Sequence, residues 1–378
     1  MAGIYLHIPF CKKMCHYCDF YHIISPGEHS EFIASIISEA EQRKEYTGTE
    51  TISTIYIGGG TPSVLATGEI EKILNALYRI FKIDQECEIT IELNPDDVTR
   101  EFTGQIKELG INRISLGVQS FRDTDLKLLN RRHNSAQATD ALNSIFSSGF
   151  ENVTLDLIYG IPGMDSTAWA SNLDLALGFD IKHLSAYHLT IEPGTMFGKM
   201  KEKGVFIETE EEESASQFTI LTEKTEDAGF VHYEISNFGK SGYFSIHNTN
   251  YWKQVPYIGL GPSAHSFNGF SRQWNVRDIK KYVKLISSGK PFFEKEDLDI
   301  KTRFNEYIMT SLRTMWGINL DYIEKMFEKE GYDYVSNLSG KYISYGMMQK
   351  KENSLILTNQ GKMISDNIIS EFMMPGDN

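Results

Sequence analysis

Tyr5-Leu6-His7-Ile8-Pro9-Phe10-Cys11-Lys12-Lys13-Met14-Cys15-His16-Tyr17-Cys18 places three thiols within eight residues, directly after a short apolar run. Thiols at that spacing can all point at one centre. A structural zinc site takes four protein ligands, often as two separated Cys-x2-Cys pairs. The chain offers no second pair, and its fourth cysteine, Cys87, precedes a strand far downstream. His7 or His16 would have to complete such a site. A [4Fe-4S] cluster that only carries electrons has a thiolate on every iron. Held by three, it leaves one iron open to a substrate or cofactor. Cys11, Cys15 and Cys18 are therefore the candidate metal ligands.

The run at 3–8 is the first of six strand candidates, the others being 54–57, 88–93, 113–118, 152–159 and 183–189. Amphipathic helical patterns at 31–45, 67–81, 103–109, 123–129, 136–148 and 166–177 lie between them. Alternating β and α elements imply parallel strands with right-handed crossovers. Six such units make an open sheet or an incomplete (β/α)6 barrel. Unusual residues recur where these strands end: Cys11, then Gly58-Gly59-Gly60-Thr61-Pro62, Glu92 with Asn94-Pro95, Gln119, Asp156, and Ala186 with Tyr187. Parallel α/β folds put their sites at strand C-termini. Any one of these is an ordinary strand-to-helix turn, but six in series are not.

From Gly194 onwards the pattern changes to acidic, aromatic and glycine-rich segments, read here as an accessory stretch, 194–290, of a first unit spanning 1–290. A break at Gly289-Lys290-Pro291 separates it from 291–378. There, helices near 303–315 and 320–329, a strand near 354–358 and a helix near 360–372 suggest a small winged-helix-like α+β module. With 51 acids against 37 bases the net charge is −14, which argues against nucleic acid as a partner. No apolar run approaches the ~18 residues that span a bilayer, so no integral membrane segment is expected. No secretory signal is visible, and four cysteines make no disulfide framework. A reducing, cytoplasmic setting is expected.

The triad at the end of a first strand, with Gly-Gly-Gly-Thr-Pro after the second, resembles the radical S-adenosylmethionine proteins. More closely, Tyr5 to Cys11, Gly58 to Pro62, Glu92-Leu93-Asn94-Pro95, Gly117 to Phe121, Asn130-Arg131, Asp156 to Gly160 and Gly259 to His265 resemble one subfamily in order. This is the oxygen-independent coproporphyrinogen III dehydrogenase-like group, and the resemblance runs through the C-terminal module. It implies a radical S-adenosylmethionine partial barrel, with the open iron chelating the methionine moiety. It also implies cofactor contacts from Tyr5, Tyr17, Gly59, Gly60, Thr61, Glu92, Gln119, Arg131, Asp156 and Ala186. Glycines 59 and 60 let backbone approach the amino group. Glu92 and Arg131 suit a zwitterion, Asp156 and Gln119 suit ribose hydroxyls, and Ala186 makes a small wall against adenine. A buried salt bridge is the alternative for Arg131 and Asp156.

Two departures point to a branch. True dehydrogenases carry a fourth cysteine two residues after the third, where this chain has Phe20, and an extension before the cluster loop, where only ten residues precede Cys11. Both features resemble the heme-chaperone branch, as does His247-Asn248-Thr249-Asn250-Tyr251-Trp252, which is similar to that branch's heme-binding string. A neutral imidazole ligates heme iron well, and adjacent Tyr and Trp supply flat apolar surface. His247 is thus the candidate heme contact, with His265 as a rival placed nearer the nucleoside. The resemblance implies a chaperone that binds heme, a [4Fe-4S] cluster and S-adenosylmethionine and passes heme to acceptor apoproteins. Transient membrane contact and slow cleavage of S-adenosylmethionine are compatible with it. The competing expectation is a radical enzyme that oxidatively decarboxylates coproporphyrinogen III.

Overall fold

Each of the six strands alternates apolar with polar or small residues. Ile4, Leu6 and Ile8 alternate with Gly3, Tyr5 and His7; Ile89, Ile91 and Leu93 with Glu88, Thr90 and Glu92; Ile114, Leu116 and Val118 with Arg113, Ser115, Gly117 and Gln119. Successive strand side chains point to opposite faces. A parallel sheet buried on both faces would instead read as continuous apolar runs. One face therefore carries the core and the other lines a polar interior.

The computed structural model describes residues 1–24, 29–48 and 50–375. Its parallel strands are Ala2–Ile8, Ile52–Gly59, Ile83–Leu93, Arg113–Gln119, Asn152–Tyr159 and His183–His188, adjacent in that order. The register aligns Tyr5 with Tyr56, Glu92 with Ser115, Gly117 with Asp156, and Asp156 with Ser185, so the polar positions share one concave face. Helices cover the other face. Ile33, Ile36 and Ala40 of Ser30–Arg43, Ile70, Ile73 and Leu77 of Thr67–Ile80, and Trp169 and Leu173 of Ser166–Leu177 are buried against the strand isoleucines and leucines. Burying such a side chain stabilises by about 1.5–3 kcal/mol each, and this apolar layer holds the polar face in place.

The sheet extends beyond the six expected strands. Tyr257–Leu260 pairs in parallel with Ala2–Ile8, and His265–Phe267, Ser271–Asn275 and Phe293–Asp297 continue antiparallel to one edge. Val231–Glu234 and Asn237–Gly239 close the other edge, giving a twelve-stranded sheet that does not close into a barrel. The stretch 194–290 is thus woven into the sheet at both edges. The sheet also runs past the break at 290, to Asp297.

The C-terminal residues form a second core around Phe304, Ile308, Ile323, Val335, Leu355 and Phe372. Helices Ile300–Leu312 and Leu320–Ser344 precede a hairpin, Met348–Lys351 and Ser354–Leu357, which Ile318–Asn319 joins as a third strand. The second helix, expected to end at 329, continues to Ser344 across a kink where Glu328 has φ of 58°. The module meets the sheet edge through Arg313, which pairs with Glu234 at 3.3 Å, and through Met315, whose N–H donates to the Tyr233 carbonyl. Among the described residues no helix is long and apolar enough to cross a membrane.

Candidate functional site

The cysteine loop is tied down at several points. Phe10–Cys11 pairs with Ile23–Ile24, folding the loop back on itself. The His16 N–H donates to the Leu129 carbonyl, Asn130 Nδ2 donates to the Met14 carbonyl, and the Phe197 N–H donates to the His16 carbonyl. The glycine-rich turn locks against it from below. The Gly60 N–H donates to the Ile8 carbonyl, the Thr61 N–H to the Phe10 carbonyl, and Thr61 Oγ1 to Cys11 Sγ at 3.4 Å. A Cβ at Gly60 would stand 2.8 Å from two of those carbonyl oxygens, so only glycine fits.

Cys11, Cys15 and Cys18 all line one cavity of about 420 Å³ at the strand C-termini. Burial pushes the Cys11 thiol up and the Cys18 thiol up to about 11. Cys87 is buried in the sheet core, away from the cavity.

The same cavity collects Tyr17, Gly59, Gly60, Thr61, Glu92, Gln119, Arg131 and Asp156. Glu92 accepts from the Tyr56 hydroxyl at 2.7 Å and the Gly59 N–H at 3.1 Å. Enclosure by the barrel wall, with the nearby Asp156 charge, raises its carboxyl to about 7. Asp156 accepts from Ser115 Oγ at 3.0 Å, and burial raises it to about 6. Arg131 donates to Asn94 Oδ1 at 2.6 Å, to the Gly117 carbonyl at 2.7 Å, and to Cys15 Sγ and the Tyr17 hydroxyl at 3.5 Å, while its Nε is buried without a partner. Among the described residues neither Arg131 nor Asp156 is in an ion pair, so the salt-bridge alternative does not hold. Gln119 reaches the cavity from φ of 66°, in the left-handed region that a bulky residue rarely adopts.

Three expected contacts lie elsewhere. Ala186 is buried on the outer face, because strand side chains alternate and its neighbours Ser185 and Tyr187 take the cavity wall. Tyr5, on the first strand, does not line the thiol cavity; its hydroxyl is 3.1 Å from His7 Nδ1 and it lines a second cavity instead. His247 is buried in the short helix Ile246–Trp252 with both ring nitrogens engaged, Nδ1 by Thr54 Oγ1 and Nε2 by the Tyr251 hydroxyl, each at 2.8 Å. Burial also lowers its pKa to about 3. In this geometry it presents no free nitrogen to an iron. Conversely, sequence reasoning missed Tyr56, Arg113, Ser115 and Ser185 in the first cavity, all inward positions of the strand alternation, and His22 in the cysteine loop.

The second cavity, about 440 Å³, lies beside the first and shares Phe20, Tyr56, Glu92, Tyr187 and Asn248 with it. Its remaining walls include Tyr21, Tyr251, Tyr257, His265 and Arg277.

The model of the Radical SAM superfamily matches residues 5–175, the part of the chain that holds the cysteine loop and five of the six parallel strands. The chain is 33% identical to the heme chaperone HemW of Bacillus subtilis, with 99% of each chain covered. It is 32% identical to that of Lactococcus lactis over 98% of this chain and 97% of the other, and 31% identical to that of Escherichia coli over 83% and 82%. The chain therefore belongs to the HemW family. The structure of coproporphyrinogen III oxidase (HemN) from Escherichia coli superposes with a TM-score of 0.85 at 21% identity, covering 99% of this chain and 90% of that one, which shows a common fold.

Proposed function

We propose that this chain is a heme chaperone of the cytoplasm. It holds a [4Fe-4S] cluster and S-adenosylmethionine in the first cavity and heme beside them, and hands the heme to acceptor apoproteins. The observation that carries this reading is the pair of contiguous cavities, one walled by three thiols and the other by tyrosines, with Phe20 and Tyr187 common to both.

The donor set of the first cavity fits its cofactors. Cys11, Cys15 and Cys18 would hold three irons, with Thr61 and Arg131 donating to two of the sulfurs, as suits thiolates. The Glu92 carboxylate and the Gly59–Gly60 backbone would take the ammonium of the methionine moiety, and Arg131 its carboxylate. Ser115, Gln119 and Asp156 would take the ribose. Bound S-adenosylmethionine at such a cluster supplies one-electron cleavage chemistry. Around it Glu92, Arg131 and the Gly59–Gly60 backbone would orient the zwitterion. Four free cysteines suit a reducing compartment.

The dehydrogenase reading lacks its fourth thiol at Phe20, which instead stands 68% exposed between the cavities. The test is transfer. Hemin-loaded, cluster-reconstituted protein is mixed with a heme-depleted b-type protein, and the acceptor's Soret band is followed. Stoichiometric appearance of that band supports the chaperone. Retention of heme by the donor, together with anaerobic turnover of coproporphyrinogen III, would replace it with the dehydrogenase.

A further inference from the structure

Resting on the heme-chaperone reading, we propose that the second cavity is the porphyrin seat, with His265 rather than His247 meeting the iron and Arg277 pairing a porphyrin carboxylate. The cavity's volume, about 440 Å³, falls within the ~300–1,000 Å³ typical of ligand pockets. Tyr21, Tyr187, Tyr257 and the exposed Phe20 give it flat aromatic walls.

An axial imidazole needs a nitrogen lone pair free to reach the metal. Three histidines line this cavity. His7 is engaged on both sides, by the Tyr5 hydroxyl at 3.1 Å and the Tyr21 carbonyl at 2.9 Å. His247 is engaged on both sides as well, by Thr54 and Tyr251. His265 is exposed and, among the described residues, makes no side-chain hydrogen bond. It lines the second cavity and not the first.

The position of His265 is held by backbone packing. Its carbonyl oxygen lies only 2.0 Å from where a Cβ on Gly259 would stand, and the Ala264 carbonyl accepts from the Asn275 N–H. Its ring lies beside Trp274, with centroids 6.2 Å apart and planes 28° from parallel.

Arg277 is 60% exposed at the same cavity. Its guanidinium donates to the Asp19 carbonyl at 2.8 Å and stands 4.0 Å from the Asp19 carboxylate, so most of its fork is available. A guanidinium fork matches a carboxylate in a bidentate geometry.

The test is hemin titration of the cluster-reconstituted full chain, read by Soret absorbance and by the ligand-field bands and electron paramagnetic resonance of the iron. The variants are His265→Ala, His247→Gln and Arg277→Gln. Wild type should bind one saturable hemin with an imidazole signature. His265→Ala should lose that signature and bind at least tenfold more weakly, and added imidazole should restore the spectrum. His247→Gln, which keeps a hydrogen-bonding group in the buried position, should retain the imidazole signature. Arg277→Gln should weaken binding several-fold with an unchanged iron spectrum. An unaltered signature in His265→Ala overturns the assignment while leaving the chaperone reading standing, as does its loss in a folded His247→Gln. Absence of saturable binding by wild type overturns both.

Discussion

Replacing Glu92 with glutamine should stabilise the cofactor-free protein at alkaline pH while weakening its hold on S-adenosylmethionine. The Glu92 carboxyl rises from 4.5 to about 7 in the fold. Between those values the folded chain binds a proton that the unfolded chain has released, so stability falls as pH rises through that window. At 1.36 kcal/mol per pKa unit, ionised Glu92 destabilises the fold above pH 7 by about 3 kcal/mol. Glutamine escapes that penalty, but an NH2 replaces one of the two carboxylate oxygens that accept from the Tyr56 hydroxyl and the Gly59 N–H, and the re-pairing costs about 1 kcal/mol. The net gain is about 2 kcal/mol at pH 8 and near zero at pH 5. With an unfolding entropy of about 2.1 cal/mol/K per residue over 378 residues, Tm at pH 8 should rise by about 2–3 °C. Loss of a charge-assisted hydrogen bond to the ammonium group should weaken S-adenosylmethionine binding roughly 10- to 100-fold. Calorimetric melts of the cluster-free protein at pH 5 and pH 8, with titrations of the reconstituted protein, read both effects. Equal destabilisation at the two pH values with unchanged binding would refute the reasoning and leave Glu92 a structural residue.

Other outcomes follow from the same structure. Cys11→Ala, Cys15→Ala and Cys18→Ala should each abolish the brown reconstituted chromophore and its four-iron content, whereas Cys87→Ala, in the sheet core, should keep both; iron and sulfide analysis decides. Glu39 is fully buried and ties helix Ser30–Arg43 to Gly261, Asn275 and Tyr282. Glu39→Ala should leave Arg43 buried without its carboxylate, cost about 3–5 kcal/mol, and lower Tm by about 4–6 °C by the same entropy. Coproporphyrinogen III should not be converted to protoporphyrinogen IX in an anaerobic assay with reductant, and multiple turnovers would contradict the chaperone.

The six parallel strands and the cysteine loop were legible because both are local patterns. Each strand alternates within its own sequence, and Cys11, Cys15 and Cys18 fall within one loop. The same alternation, followed through, would have turned Ala186 outward and brought Arg113, Ser115 and Ser185 inward. Tyr257–Leu260 was hidden because its partner, Ala2–Ile8, lies some 250 residues away, and a four-residue strand carries too little pattern to show which neighbour it will find. Phe293–Asp297 was hidden because it follows a Gly-Lys-Pro break and reads as a charged linker, yet it pairs along its whole length with Ser271–Asn275. The string at His247 shows an imidazole beside aromatics but not that Thr54 and Tyr251 occupy its nitrogens. The second cavity was invisible for the same reason, since its walls come from four separate strands of the sheet, the cysteine loop and residues 247–277.

One chain should hold a cluster and a heme in adjacent cavities at once. Anaerobic iron and sulfide reconstitution, followed by hemin titration of the same sample with iron analysis, absorbance and electron paramagnetic resonance, tests it most directly. One [4Fe-4S] cluster per chain should persist unchanged while one hemin binds with a saturable Soret shift. Hemin that displaces the cluster, or binds only without saturation, would contradict it.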